Sequence, residues 1–381
     1  MNYNSITIKK ISQSSSSIDI LWSDNKESYF HFLWLRDNCP SNIHPDARQR
    51  RFNLLTVSDS IHPKKILLND HGNVEIIWSE GRHSSCFESK WLRDHCYTIN
   101  NNKEYKSPYI LWDKSLEENI EKKTIEYKDV INSESGLLIW LEQLDEYGFS
   151  IVKNAPTEKN SGLKVLKRIS HIRETFFKTP FEVVNIPKPN NTAYTAEGLR
   201  NHTDLPYFEY APGYQFLHCL VNDAVGGESS VVDGFCISQY LKENEPEVFS
   251  LLNTTYVKFK DNDYTQNTIR IHHSPLITLT KDNDFNDIRF SVATMAAIDC
   301  PKDIMEKFYL AYRRFAELIH SSKYTVNFRL SAGDIFSFNN RRVLHGRKEF
   351  DPNTGHRHLQ GYYIDRDEIL GRLNFLKNIE I

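Results

Sequence analysis

The sequence predicts a mainly β protein with flanking helices, in which a double-sheet jelly roll (a double-stranded β-helix) follows a small N-terminal β domain. Three observations predict it. The aromatic load is high, with 22 Phe, 19 Tyr and 6 Trp in 381 residues, and such side chains favour half-buried pleated surfaces. The first hundred residues break into short strand-like pieces separated by turns. Beyond Tyr210 strand-like runs outnumber helical ones, a balance that suits two packed sheets with helices outside them.

The N-terminus, MNYNSITIKKISQSSSSIDILWSD, lacks the apolar core of a signal peptide and reads as two short strands around a Ser-rich turn. A cytoplasmic chain is expected. Strand-like pieces follow at 18–22, 29–34, 64–68 and 74–78, the last two separated by the turn dipeptide His71-Gly72. A hexapeptide recurs in this region, WLRDNC at 34–39 and WLRDHC at 91–96. It marks either a pair of half-units or two local packing turns. Between 100 and 127 the composition turns polar and charged (NNNKEYK, then KSLEENIEKK). This predicts a first domain over 1–100, a linker over 101–130 and a second domain over 131–381.

The second domain opens with a helix over 135–147, where Leu137, Leu138, Leu141 and Leu144 recur at mostly helical spacing and Gly148 ends the run before a strand at 149–152. Further helices are expected at 163–177, 238–252 and 302–321. Strands are expected at 214–221, 254–259, 324–330, 334–338 and 359–364.

Composition narrows the function. Lys plus Arg number 47 against 50 Asp plus Glu, a net charge of −3 that gives no support to a nucleic-acid partner. No apolar run reaches the ~18 residues of a membrane helix, and six cysteines without a C-x-x-C pair do not make a disulfide scaffold. A soluble enzyme with a small-molecule substrate fits these limits.

The sharpest constellation is Asn201-His202-Thr203-Asp204-Leu205-Pro206. Pro206 biases Leu205 away from helix, and in extended chain residues i and i+2 share a face, so one imidazole and one carboxylate can reach a single metal. A third ligand is offered by His345, after the strand-like GDIFSF. The set suits Fe(II) with positions left open for substrate and oxygen. Twelve residues further on, Arg357 opens another alternating run, LQGYYI, where its planar fork could hold a dicarboxylate co-substrate. An H-x-D pair alone recurs by chance in many proteins. Order and spacing together carry the reading.

These residues, with NNTAYTAEGLRNHTDLP at 190–206, PGYQFLHCL at 212–220, GGESSVVDGF at 226–235, AGDIFSFNNRRVLHGR at 332–347 and RHLQGYYIDRD at 357–367, resemble the γ-butyrobetaine and trimethyllysine dioxygenase family. The resemblance covers nearly the whole chain. It implies a hydroxylase using Fe(II), 2-oxoglutarate and O2 and forming succinate and CO2. His202, Asp204 and His345 would bind the iron, Arg357 and Ser229 would hold the distal carboxylate of 2-oxoglutarate, and Leu217 would line the same pocket. Phe177, Phe181, Tyr194 and Tyr363 match the family's aromatic cage for a trimethylammonium group, and Asn191 matches a residue near the substrate's carboxylate. Phe stands at 177 and 181 where butyrobetaine enzymes carry Tyr and Trp, and FSVATM at 290–295 lacks their Asn pair and Arg. A related cationic amine with a different anionic end, such as an aminoalkylphosphonate or a modified amino acid, is therefore expected. The resemblance further implies a homodimer and, in the N-terminal domain, a zinc site. Here the matching positions are Cys39, Ser41, His44 and His83, and serine is a poor zinc ligand.

Overall fold

The computed structural model describes residues 6–81, 83–99, 108–185, 195–264 and 266–378. The chain forms two units, Met1–Lys106 and Ser107–Ile381. In the first, β1 (Ile8–Gln13), β2 (Ser17–Trp22), β3 (Glu27–His31) and helix α1 (Phe32–Asp37) are followed by β4 (Pro63–Leu68), β5 (Val74–Trp78), β6 (Ser84–Phe87) and helix α2 (Ser89–Asp94). Each strand trio is a sheet in its own sequence order. The recurring hexapeptide is helical both times, so the strand expected over 29–34 stops at His31, where Phe32 and Leu35 turn an i, i+3 pair inward.

The two halves repeat one another in detail. Trp22 Nε1 donates to Ser28 Oγ at 2.6 Å, and Trp78 Nε1 to Ser85 Oγ at 2.8 Å. Arg36 of the first half pairs with Glu80 of the second at 2.9 Å, while Arg93 of the second reaches back to Asp24 of the first at 2.7 Å. Ile18, Ile20, Trp22 and Phe30 meet Val74, Ile76, Trp78 and Phe87 in one core. The repeat is therefore a pair of half-units, each burying its apolar face against the other.

The second unit begins with residues expected in the linker. From 108 to 130 they pack onto this unit instead: Trp112 is buried, its indole donates to the Tyr147 carbonyl at 2.7 Å, and its backbone N–H meets Asp233. The apolar Trp112, Leu116 and Ile120 among the charges are what hold it. Next come β7 (Thr124–Glu126), α3 (Tyr127–Asn132), α4 (Glu134–Glu146), β8 (Phe149–Lys153), α5 (Gly162–Leu166), β9 (Phe181–Val184), β10 (Leu199–His202), β11 (Tyr214–Asn222), β12 (Val225–Gly226) and β13 (Ser229–Asp233). They are followed by α6 (Gly234–Asn244), α7 (Pro246–Thr254), β14 (Val257–Asp263), β15 (Thr268–Ser274), β16 (Ile277–Leu279), β17 (Phe285–Ile288) and α8 (Lys302–Ile319). The chain closes with β18 (Val326–Phe328), β19 (Ile335–Asn339), β20 (Val343–Arg347), β21 (Phe350–Asp351), β22 (Arg357–Ile364) and α9 (Arg366–Lys377).

Two expected helices differ. That over 163–177 is only α5, because the chain beyond it runs along the sheet, with the Arg173 N–H bonded to the Tyr363 carbonyl at 2.8 Å. That over 238–252 breaks between Asn244 and Pro246, where proline supplies no N–H to continue α6.

A six-stranded sheet in the order β7-β8-β19-β11-β22-β9 and a four-stranded sheet in the order β10-β20-β13-β18 make the jelly roll. Trp140 and Leu141 of α4 and Ile369 and Leu373 of α9 cover the outer residues Tyr214, Phe216 and Tyr362 of the larger sheet. Inward residues of both sheets line a cavity of about 470 Å³. Among the described residues no helix is long and apolar enough to cross a membrane.

Candidate active site

The site grows from one strand pairing. Antiparallel β10 and β20 place His202 directly opposite His345, with ring centroids 4.4 Å apart. Their close approach depends on Gly346, since a Cβ there would lie 2.6 Å from Asn201 Oδ1 and 2.7 Å from the Leu199 carbonyl. After His202 the chain is pinned by the Thr203 N–H on the Phe290 carbonyl, and Leu205 takes a positive φ of 54° before Pro206. Buried Asn340 clamps the intervening Asp204, its Oδ1 accepting the Asp204 N–H at 2.7 Å and its Nδ2 donating to the Asp204 carbonyl at 3.0 Å.

Three donor atoms result. His202 Nδ1 lies 2.8 Å from the Arg200 carbonyl, which turns Nε2 inward to 3.2 Å from Asp204 Oδ1. His345 Nε2 stands 3.8 Å from the same oxygen. Among the described residues, His202, Asp204 and His345 are the only His, Cys, Asp or Glu group whose ligand atoms all lie within 4.8 Å of one another. Burial opposes the charge on Asp204, but the hydrogen bond and charge of His202, with the Tyr363 hydroxyl, hold its carboxyl below the usual range. Burial and the neighbouring His202 push His345 down to about 3, keeping it a neutral donor. Burial also works against His202, yet its bond and attraction to Asp204 hold it above the ordinary value.

The far end of the cavity is cationic. Arg357 enters from β22; burial pushes it down to about 10, and its Nε is buried without a hydrogen-bond partner. Among the described residues no carboxylate pairs with it. Arg347 is nearby but donates to the Thr195 and Glu197 carbonyls. Ser229, at the start of β13, is buried, and Leu217 of β11 faces the same space. Along one wall Phe177 and Phe181 have ring centroids 6.0 Å apart, and Phe181 stacks on Tyr363 at 5.1 Å and 27°.

Residues 112–363 match the taurine catabolism dioxygenase TauD, TfdA family, and residues 9–93 match the γ-butyrobetaine hydroxylase-like N-terminal domain. The chain belongs to the TauD/TfdA family. It is a 2-oxoglutarate-dependent non-haem iron dioxygenase, whose cofactors are Fe(II), 2-oxoglutarate and O2. Its relatives include the γ-butyrobetaine dioxygenase of Pseudomonas sp. (strain AK-1), 36% identical over 368 residues, 95% of this chain and 94% of that one. The γ-butyrobetaine dioxygenase of Homo sapiens is 32% identical over 370 residues, 94% of each chain. The mitochondrial trimethyllysine dioxygenase of Rattus norvegicus is 28% identical over 381 residues, 95% of this chain and 88% of that one.

The three donors fit the family's iron: two inward imidazole nitrogens and one carboxylate oxygen, with His345 buried and His202 and Asp204 half-buried at the cavity. Among the described residues Cys39, His44 and His83 do not gather into a donor group as the triad does, and serine at 41 is a poor zinc ligand. Cys39 Sγ is 3.1 Å from Ser41 Oγ, and His44 Nδ1 accepts the N–H groups of Asp46 and Ala47 in its own turn. In the other half-unit Cys96 Sγ and Thr98 Oγ1 repeat that pair at 3.1 Å. Both half-units thus close with a thiol–hydroxyl contact. Asn191 and Tyr194 lie outside the described residues. Sequence reasoning passed over Asn340, Gly346 and Gln215. Gln215 is 3% exposed, lines the cavity, and its Oε1 has no partner; strand alternation from Leu217 was the signal that could have found it.

Proposed function

We propose that His202, Asp204 and His345 hold Fe(II), that Arg357, Ser229 and Leu217 receive 2-oxoglutarate, and that Phe177, Phe181, Asn191, Tyr194 and Tyr363 receive a small betaine-like quaternary amine, one of whose C–H bonds is hydroxylated. The observation that carries this is the triad and an uncompensated buried guanidinium lining the same cavity. A carboxylate arriving at Arg357 gains a bidentate, charge-assisted partner away from water. Bound at the triad with 2-oxoglutarate and O2, the iron supplies oxidation of an unactivated C–H bond, with succinate and CO2 formed. The chain orients the reactants. Asp204 stays a carboxylate, the imidazoles are aimed by Arg200 and by the β10–β20 pairing, and Leu205, Leu217, Phe336 and Leu359 keep the cavity walls apolar.

The aromatic wall favours a quaternary over a primary ammonium. Phe177 and Phe181 offer π faces and no acceptor, and the Tyr363 hydroxyl donates to Asp204. A primary ammonium placed against that wall would bury N–H groups without partners, whereas a desolvated cation–π contact contributes about 2 kcal/mol without any. Along Ser291–Val292–Ala293–Thr294 the cavity offers hydroxyls and no cation. That supports an anionic end different from that of γ-butyrobetaine, such as a phosphonate or an amino-acid head group.

The division into an N-terminal β domain and an oxygenase domain, a homodimer and a cytoplasmic location belong to the same reading. Light scattering tests the dimer. The function is tested by succinate release under Fe(II), ascorbate and air, across γ-butyrobetaine, trimethyllysine, aminoalkylphosphonates with and without N-methylation, and free amino acids. Quaternary members are expected to stimulate turnover above their unmethylated counterparts. His202→Ala, Asp204→Ala or His345→Ala should abolish that stimulation in a folded protein, and retained turnover would sink the assignment.

A further inference from the structure

We propose that Tyr363 is a positioning residue for the metal ligand Asp204, tying the aromatic wall of the substrate site to the geometry of the metal. The inference rests on the triad being the metal site. Its hydroxyl donates to Asp204 Oδ2 at 2.7 Å. That is not the oxygen facing the histidines: Oδ1 lies 3.2 Å from His202 Nε2 and 3.8 Å from His345 Nε2. Asn340 fixes the backbone of Asp204, which leaves the rotation of the carboxylate to its side-chain partners. With Oδ2 engaged by Tyr363, Oδ1 alone would be presented to a metal, so Asp204 would contribute one ligand atom and leave room for co-substrate and oxygen.

The tyrosine itself has little freedom. It is 3% exposed, its ring stacks on Phe181, and its carbonyl accepts the Arg173 N–H at 2.8 Å on the side of its strand that faces the sheet edge. One ring therefore has its face on the wall that would meet a cation and its polar tip on the carboxylate. A ligand pressing on the Phe181–Tyr363 stack moves the hydroxyl and the carboxylate together.

Tyr363→Phe separates the two roles, since it keeps the π face and removes the donor. Loss of such a supporting hydrogen bond typically weakens metal binding roughly 10- to 100-fold. The test is Mn(II) affinity of the full chain, by calorimetry without oxygen, and the charge-transfer absorption of the anaerobic Fe(II)–2-oxoglutarate complex, for wild type, Tyr363→Phe, Phe181→Leu and His345→Ala. The expected result is weaker Mn(II) binding and a shifted band in Tyr363→Phe, with Mn(II) affinity and band close to wild type in Phe181→Leu. Wild-type affinity and an unshifted band in a folded Tyr363→Phe would overturn the positioning role and leave the metal site standing. Wild-type affinity in His345→Ala would instead overturn the metal site on which it rests. A thermal melt of each variant separates unfolding from either result.

Discussion

Arg357 shows how a single residue can be read from what it lacks. A guanidinium buried without a carboxylate costs free energy in the empty protein, and this one is pushed down to about 10 by burial, with its Nε unpaired. Arg347 is the less exposed of the two, but its terminal nitrogen donates to two carbonyls. The deficit at Arg357 is made good when an anion arrives. Arg357→Met should therefore leave the melting temperature of the ligand-free protein unchanged or higher, while the KM for 2-oxoglutarate rises at least about 30-fold, as truncating one partner of a buried charge pair costs roughly 2–5 kcal/mol. The upward shift that 2-oxoglutarate and Mn(II) give the wild-type melt should shrink accordingly. An unchanged KM would place the co-substrate elsewhere. Lysine is no substitute, because it keeps the charge and loses the fork.

At the scale of elements, the pairing of β22 with β9 places Gly361 opposite Phe181. A Cβ at 361 would stand 2.0 Å from Phe181 Cζ and 2.1 Å from Cε2, so the phenyl ring lies across the strand only because residue 361 has no side chain. Gly361→Ala should evict Phe181 from its stack on Tyr363. The substrate KM is expected to rise roughly 30-fold, the equivalent of one desolvated cation–π contact of about 2 kcal/mol, while 2-oxoglutarate turnover without substrate persists. Equal loss of both activities would mean the substitution had disturbed the sheet rather than the wall. This dependence also marks where the sequence was legible. The triad could be read because His202 and Asp204 are two residues apart on an extended segment and His345 follows a short, fully buried strand. The register that sets Gly361 against Phe181 joins strands about 180 residues apart, and no local pattern encodes it. The segment after 108 misled for a related reason: its charges suggest solvent, yet Trp112 finds partners at Tyr147 and Asp233, far along the chain.

At the scale of the whole molecule, the donor atoms divide the metal chemistry unequally between the two units. The oxygenase unit has a convergent donor set, and its loss on chelation should abolish activity. The N-terminal unit has a core of two tryptophans with paired hydroxyl partners, two reciprocal ion pairs and a thiol–hydroxyl contact in each half. Metal-dependent small domains need the metal because their cores are too small to fold alone, and they unfold when it is removed. Here the twofold repeat supplies that burial, since each half covers the apolar face of the other. The Cys96–Thr98 contact, whose place in the second half corresponds to Cys39–Ser41 in the first, shows that this closure works twice by the same hydrogen bond. The prediction is that the protein purified and reconstituted with Fe(II) contains one iron per chain and no stoichiometric zinc. Treatment with EDTA should remove the iron and the activity while leaving intact the near-ultraviolet circular dichroism of Trp22 and Trp78 and the thermal transition of the N-terminal unit. Retained zinc near one per chain, or loss of that transition on chelation, would show that Cys39, His44 and His83 rearrange around a metal and that the thiol–hydroxyl contacts are not what close the fold.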